Sequence, residues 1–145
     1  MNPVTHKLMS IGNHVMSALY RRSNGRIGGK AGGGVPVLLL TVRGRKSGQD
    51  RTTPVGYFLH DGAYVVAGSA NGADTDPQWF RNLAHSDEAR IRVRDTDIPV
   101  TVRIPTGSDR DDLWTNVVVA TVPAFGKYEK KTDRTIPVAV LTPVS

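Results

Sequence analysis

Residues 38–54 read LLLTVRGRKSGQDRTTP, and their texture decides the fold class. With Val37 in front, residues 37–42 form a short apolar run bounded by a turn, the pattern of a buried strand. Gly44 and Gly48 bracket the turn that follows, and residues 53–59 are again β-rich. Working outward, residues 63–69 form another β-rich run. Asp61-Gly62 between the two is a strong hairpin signal, because both residues accept the positive φ of a tight turn. Ile91 and Val93 alternate with arginines, and Ile98, Val100, Val102 and Ile104 alternate with Pro99, Thr101 and Arg103. This predicts a hairpin turning at residues 95–97, with Pro99 marking an edge strand. Residues 136–141 make a last strand.

Three helical segments accompany the strands. Leu8, Ile11, Val15 and Leu19 recur at the spacing of one helix face over residues 5–22, an amphipathic helix with Lys7, Arg21 and Arg22 on or beyond its polar side. Residues 23–34 are a glycine-rich connector. Asp76 can cap a helix that begins at Pro77 and runs to about Ala84. Ser108, followed by three acids in the next four residues, begins a third helix with Leu113, Trp114, Val117 and Val118 on its apolar face. About six hairpin-connected strands with about three helices predict an α+β fold, a mainly antiparallel sheet or small barrel. The absence of βαβ alternation argues against a Rossmann domain.

The 145 residues suit a single domain covering 1–145. Hydrophobic residues make up 39% and charged residues 22%, the balance of a folded globular chain rather than a disordered one. With no cysteine, a disulfide framework, thiolate metal sites and cysteine nucleophiles are excluded. The longest apolar run, residues 35–40, is far too short to span a bilayer, and the N-terminal residues lack the pattern of a secretory signal. A cytoplasmic protein is the expectation, with peripheral contact of the basic N-terminal helix to the inner face of the membrane as a variant.

The net charge is +6, which calls for an anionic partner or a basic surface. Residues 43–51 hold four cations, Arg43, Arg45, Lys46 and Arg51, against one acid, Asp50. Arg45 and Arg51 offer forked donors for phosphate or carboxylate, Lys46 a point charge and Ser47 a hydroxyl. Gly44 and Gly48 allow close backbone approach. A solvated basic hairpin is the plain alternative. The segment is no Walker loop, because Arg45 stands where a glycine must precede Lys46-Ser47; Gly29-Lys30 fails as well, with Asn24 and Ala31 in place of the required Gly and hydroxyl. His6, His14, His60 and His85 show no metal spacing, so no metal is expected, and no Gly-x-Ser-x-Gly elbow occurs. Trp79 and Phe80 read as core or as the wall of a planar ligand site. Phe125 and Tyr128 fall in a loop-like stretch after Pro123.

Residues 38–54, together with residues 68–73 (GSANGA), 77–83 (PQWFRNL) and 132–137 (TDRTIP), resemble, in family order, the deazaflavin-dependent nitroreductase family of actinobacteria. The resemblance covers nearly the whole chain from about residue 20. It implies a split β-barrel related to FMN-binding oxidases, and a reductase that uses coenzyme F420, a deazaflavin with a phospholactyl-oligoglutamate tail. Carried over, Arg45, Lys46, Ser47, Gly48 and Arg51 hold phosphate and tail, and Pro54 shares the same block. Ser69 and Ala70 lie near the deazaflavin, where the family often has Lys in place of Ala70, and Trp79 and Asn82 line the groove. Val122, Phe125 and Tyr128 take the places of three substrate-side tyrosines, leaving Tyr128 as the candidate proton donor or substrate contact.

The implied reaction is hydride transfer from reduced F420 to a small electron-poor organic substrate such as a quinone, enone, lactone or nitroaromatic. The polyanionic tail answers the charge of the loop. Two rivals stand beside this reading. One is an FMN-dependent oxidoreductase of the same barrel, with the FMN phosphate in the basic loop. The other is a noncatalytic nucleic-acid-binding barrel; the aromatics are not interleaved with the cations, so no nucleic acid is expected. A monomer and a homodimer are equally open.

Overall fold

The computed structural model describes residues 14–26, 28–30 and 34–144. The run read first in the sequence is β1, Val37–Arg43, and β2 follows as Asp50–Gly56. The remaining strands are β3 (Phe58–His60), β4 (Ala63–Ala67), β5 (Glu88–Val93), β6 (Thr96–Arg103) and β7 (Val138–Pro143). Helix α1 covers residues 14–23, α2 Gln78–Ala84, α3 Gly107–Leu113 and α4 Ala124–Lys130. Among the described residues, seven strands and four helices stand where about six and three were expected. The stretch 53–59 divides at Tyr57 into two strands, and the loop expected after Pro123 is α4. The first nine residues of the helix expected over 5–22, His6 with them, and part of the glycine connector lie outside the described residues.

All strands pair antiparallel in one sheet ordered β2-β1-β5-β6-β7-β4-β3. The sheet curls: β2 at one end contacts β4 near the other, and both feed one apolar cluster. This is the split barrel that the family resemblance implies. Alternation explains what fills it. Leu38, Leu40 and Val42 of β1 point into the barrel with Val55, Val66, Ile91, Val100 and Leu141, and α2 adds Phe80 and Leu83. Val37 and Leu39 point out and meet Tyr20 of α1. A second cluster covers the other face of β4 and β7, where Val65, Val138 and Val140 pack on Leu113, Trp114 and Val118. Strands buried on both faces read as continuous apolar runs, which is why β1 and β7 lack alternation.

Asp61 and Gly62 turn the β3–β4 hairpin at φ 51° and 78°, as their sequence predicts. The β5–β6 turn lies at Arg94-Asp95, one residue earlier than expected, because Arg94 takes the positive φ of 56°. Strand β6 is not an edge strand, since it pairs with both β5 and β7. Pro99 is tolerated because it lies at the last rung of the β7 ladder, where Val144 N–H donates to its carbonyl at 2.9 Å and only the reciprocal bond is lost. Tyr57 stacks edge-on against Tyr64, and burial, helped by the neighbouring Tyr20 and Tyr64, pushes its phenol above the ordinary value against a counterpull from Arg94.

Arg110 ties α3 to the segment before β7. Its buried guanidinium donates through Nε and Nη2 to the Ile136 carbonyl at 3.0 and 2.6 Å and stacks over Trp114. Arg110→Ala strands that carbonyl and opens space beside Trp114. We expect a loss of about 2–4 kcal/mol, read as a lower denaturant midpoint with an unchanged m-value.

Candidate cofactor and substrate site

The cationic turn between β1 and β2 is built by its own backbone. Gly44 N–H donates to the Gln49 carbonyl, Gly48 N–H to the Gly44 carbonyl, and Gln49 N–H to Ser47 Oγ. A Cβ on Gly44 would come within 2.7 Å of Ser47 Oγ, and Gly48 has φ +73°, so both glycines are required by the turn. The amides of Lys46 and Ser47 are left without an acceptor among the described residues.

Arg45 fastens this turn to α2. Its backbone N–H and Nη1 both donate to Asn82 Oδ1, at 3.2 and 2.8 Å, and Nη2 donates to Gln78 Oε1 at 2.9 Å. Asn82 is buried. Arg45 and Asn82, both read from the sequence as cofactor residues, therefore spend these groups on each other.

The free cations are Lys46 and Arg51, with Arg43 beside them. None of the three forms an ion pair with a described residue. The local acid, Asp50, is drawn to Arg90 at 3.0 Å. Arg51 emerges on the opposite face of β2 from Asp50, and its side chain passes beside Gly44. The positive potential of the turn is thus left uncompensated. A cleft of about 490 Å³ opens between the turn and the residues after α2, lined by Arg43, Arg45, Lys46 and Ser47 on one side and by His85 and Ser86 on the other. Arg43 belongs to the 38–54 motif, whereas nothing in the sequence around His85 marks it for the cleft.

Helix α2 connects this turn to a second loop. From Asn82 back to Gln78 the helix advances about 6 Å, and Arg45 spans that distance by bonding both residues. Trp79 is half-buried at the barrel edge, its ring edge-on to Phe80 at 5.4 Å. Phe80 in turn floors the loop at residues 68–76: a Cβ on Gly68 would approach its ring to 2.9 Å. Ser69 and Ala70 follow, partly exposed, and Ala70 opens a 3₁₀ turn, Ala70–Gly72. Asp76 does not cap α2 as expected, because its carboxylate is paired with Arg134 at 2.7 Å.

The turn Ala70–Gly72 contacts α4. A Cβ on Gly72 would lie 3.0 Å from the Tyr128 carbonyl. The turn that Ala70 opens is thereby set against the Tyr128 backbone through Gly72. Tyr128 is half-buried, with Lys131 Nζ 5.7 Å from its ring centre, and its hydroxyl has no hydrogen-bond partner among the described residues. Phe125 packs inward instead, edge-on to Phe58 at 5.5 Å and to Tyr128 at 5.3 Å. Val122 joins the same apolar cluster. Pro54 pairs with Leu39 and faces the outer side of β2, away from Arg51. Among the described residues no group of three or more His, Asp or Glu could hold a metal ion.

A family described as F420H(2)-dependent quinone reductase matches residues 13–143. An F420H(2)-dependent quinone reductase of Mycobacterium tuberculosis is 36% identical over 127 residues, covering 86% of this chain and 85% of that protein. Two solved structures share 31% identity over 73% of this chain. One is an F420-H2 dependent reductase (FDR-A), 93% covered with a TM-score of 0.65; the other is a domain-swapped dimer, 79% covered with a TM-score of 0.66. The residues the family model matches include the cationic turn, α2 and α4, and the chain belongs to the F420H2-dependent quinone reductase family.

Proposed function

We propose that the chain reduces quinones with F420, holding the cofactor along α2 with its tail on the cationic turn and its deazaflavin beside Ser69 and Ala70. The observation that carries this is the unpaired charge of Lys46 and Arg51 on a turn pinned to α2, the helix that follows the loop abutting α4 and Tyr128. The residues fit the group. Two acceptor-free amides, two unpaired cations and the Ser47 hydroxyl suit a phosphate followed by carboxylates. Gly48 has no side chain to cover the exposed tip of the turn, while Gly44 and Gly68 let the turn and the head-group loop pack closely on Ser47 and Phe80. Bound in reduced form, F420 supplies a hydride from carbon 5 of its ring.

The protein's part is position, water exclusion and proton management. Lys46, Arg51 and the Lys46 and Ser47 amides bind the anionic end. Trp79 flanks the groove. Phe125, wedged between Phe58, Trp114 and Tyr128, fixes α4 and so the place of Tyr128. A quinone that accepts a hydride also needs a proton at oxygen, and Tyr128, whose phenol has no hydrogen-bond partner among the described residues, is the candidate to donate it or to hold the substrate oxygen. Tyr128→Phe keeps the ring packing and removes the proton. Turnover of F420H2 with a soluble quinone should fall about tenfold, less than the hundredfold or more of a full general acid because solvent competes, while the melting temperature stays put. Unchanged turnover would reduce Tyr128 to a packing residue. Absence of any quinone-dependent F420H2 oxidation by the intact protein would overturn the reaction.

Quinones are commonly lipid-soluble, and α1 fits a role at their source. Val15, Met16 and Leu19 are exposed on it, with Arg21, Arg22 and Arg26 close in sequence. This combination favours peripheral attachment to an anionic membrane surface by a cytoplasmic protein. No described helix is long and apolar enough to cross a membrane. A homodimer has a precedent in the domain-swapped relative, and sedimentation separates it from a monomer.

A further inference from the structure

Arg134 lies in the segment between α4 and β7, and its guanidinium serves a single loop. Nε donates to the Ala73 carbonyl at 2.7 Å, and Nη2 donates to the carbonyls of Gly68 and Ser69, both at 3.0 Å. Nη1 is paired with Asp76 at 2.7 Å. Four acceptors within residues 68–76 thus converge on one side chain that is 14% exposed. Asp76 compensates the charge, and four of the five N–H donors are committed, so Arg134 is not a free cation for an anionic tail.

The consequence falls on the other side of the loop. In a trans peptide the N–H points opposite to the C=O. Anchoring the Gly68 and Ser69 carbonyls on one guanidinium turns the Ser69 and Ala70 amides away from it. Neither amide has an acceptor among the described residues. Ala70 is held at φ +45°, a conformation alanine rarely adopts and keeps only where its surroundings impose it. Consecutive outward amides form a pair of donors for an oxygen.

We propose that Arg134 is the positioning residue of the cofactor head-group loop: by gathering its carbonyls it presents the Ser69 and Ala70 amides to an oxygen of the bound deazaflavin. This rests on the F420 reading above. The test compares wild type, Arg134→Lys and Asp76→Asn by fluorescence titration with oxidised F420 at two salt concentrations, and by amide hydrogen exchange of the cofactor-free protein. Lysine keeps the charge but cannot span three carbonyls. Arg134→Lys should therefore raise the Kd for F420 at least tenfold with the salt slope unchanged. Exchange over residues 68–73 should quicken while β1 and α2 keep their protection. Asp76→Asn, which leaves the carbonyl contacts, should move both readouts in the same direction by less.

A wild-type Kd in folded Arg134→Lys overturns the proposal even if its melting temperature drops, and so does a flattened salt slope, which would make Arg134 a tail ligand. If Arg134→Lys does not fold, Asp76→Asn decides, and unchanged exchange together with unchanged Kd overturns the proposal. Wild-type protein that binds no F420 overturns the cofactor reading itself, a failure visible before any variant is made.

Discussion

Replacing Lys46 and Arg51 together with alanine should weaken F420 binding about a hundredfold at low salt. A hydrogen bond to a charged group contributes about 1.5–3 kcal/mol, and tenfold in affinity is about 1.4 kcal/mol. Both side chains are exposed, so the lower end applies to each, and two such contacts give the hundredfold. The salt response is the sharper signature. Ionic contacts between exposed groups are screened within about 10 Å at 0.1 M salt, so wild-type affinity should fall steeply with salt and the double variant's should fall little. Fluorescence titration at two salt concentrations reads both effects. Arg45 stands apart. The sequence pairs it naturally with Lys46, but its guanidinium is held by Asn82 and Gln78, so Arg45→Ala should cost affinity by unpinning the turn while leaving the salt slope close to wild type. Equal slopes for the double variant and the wild type would remove Lys46 and Arg51 from the tail site.

Phe80→Ala should be the most damaging single core substitution at the site. Phe80 is 2% exposed and belongs to the cluster inside the barrel. It also carries the Gly68 backbone on one side and the edge of Trp79 on the other. Phe-to-Ala changes in cores cost about 3–5 kcal/mol. For a chain of this size that corresponds to a melting temperature lower by about 10–15 °C. The loss is not confined to stability, because the ring is the floor shared by α2 and the head-group loop. At a temperature where the variant is still folded, its F420 affinity should also be reduced. A shift of only a few degrees would mean that Gly68 and α2 find other support.

These expectations draw on both sequence and structure, and the division between them has physical causes. Local signals carried well. Asp61-Gly62 turns where it should because positive φ is a local property of those residues. The apolar run at β1, the alternation of β6 and the helix after Pro77 are likewise set by neighbours in the chain. Features decided by distant partners did not show. Asp76 has the sequence of a helix cap, but Arg134, 58 residues away, holds it. Pro99 has the sequence of an edge strand, but β7 arrives from the far end of the chain to pair with β6. Helix α4 carries only Phe125 and Tyr128 as an apolar face and buries no residue fully, so its periodicity is too weak to register. The site divides the same way: the cationic turn is one motif, whereas His85, Asp76 and Arg134 enter only through tertiary contact.

F420 dependence is tested by one titration: the purified protein with oxidised F420, and with FMN in parallel, at low and high salt. We expect tight F420 binding that weakens as salt rises, and weak binding of FMN, whose single phosphate engages the cationic turn without the carboxylates that follow it in F420. Preference for FMN, or binding of neither, would contradict that dependence.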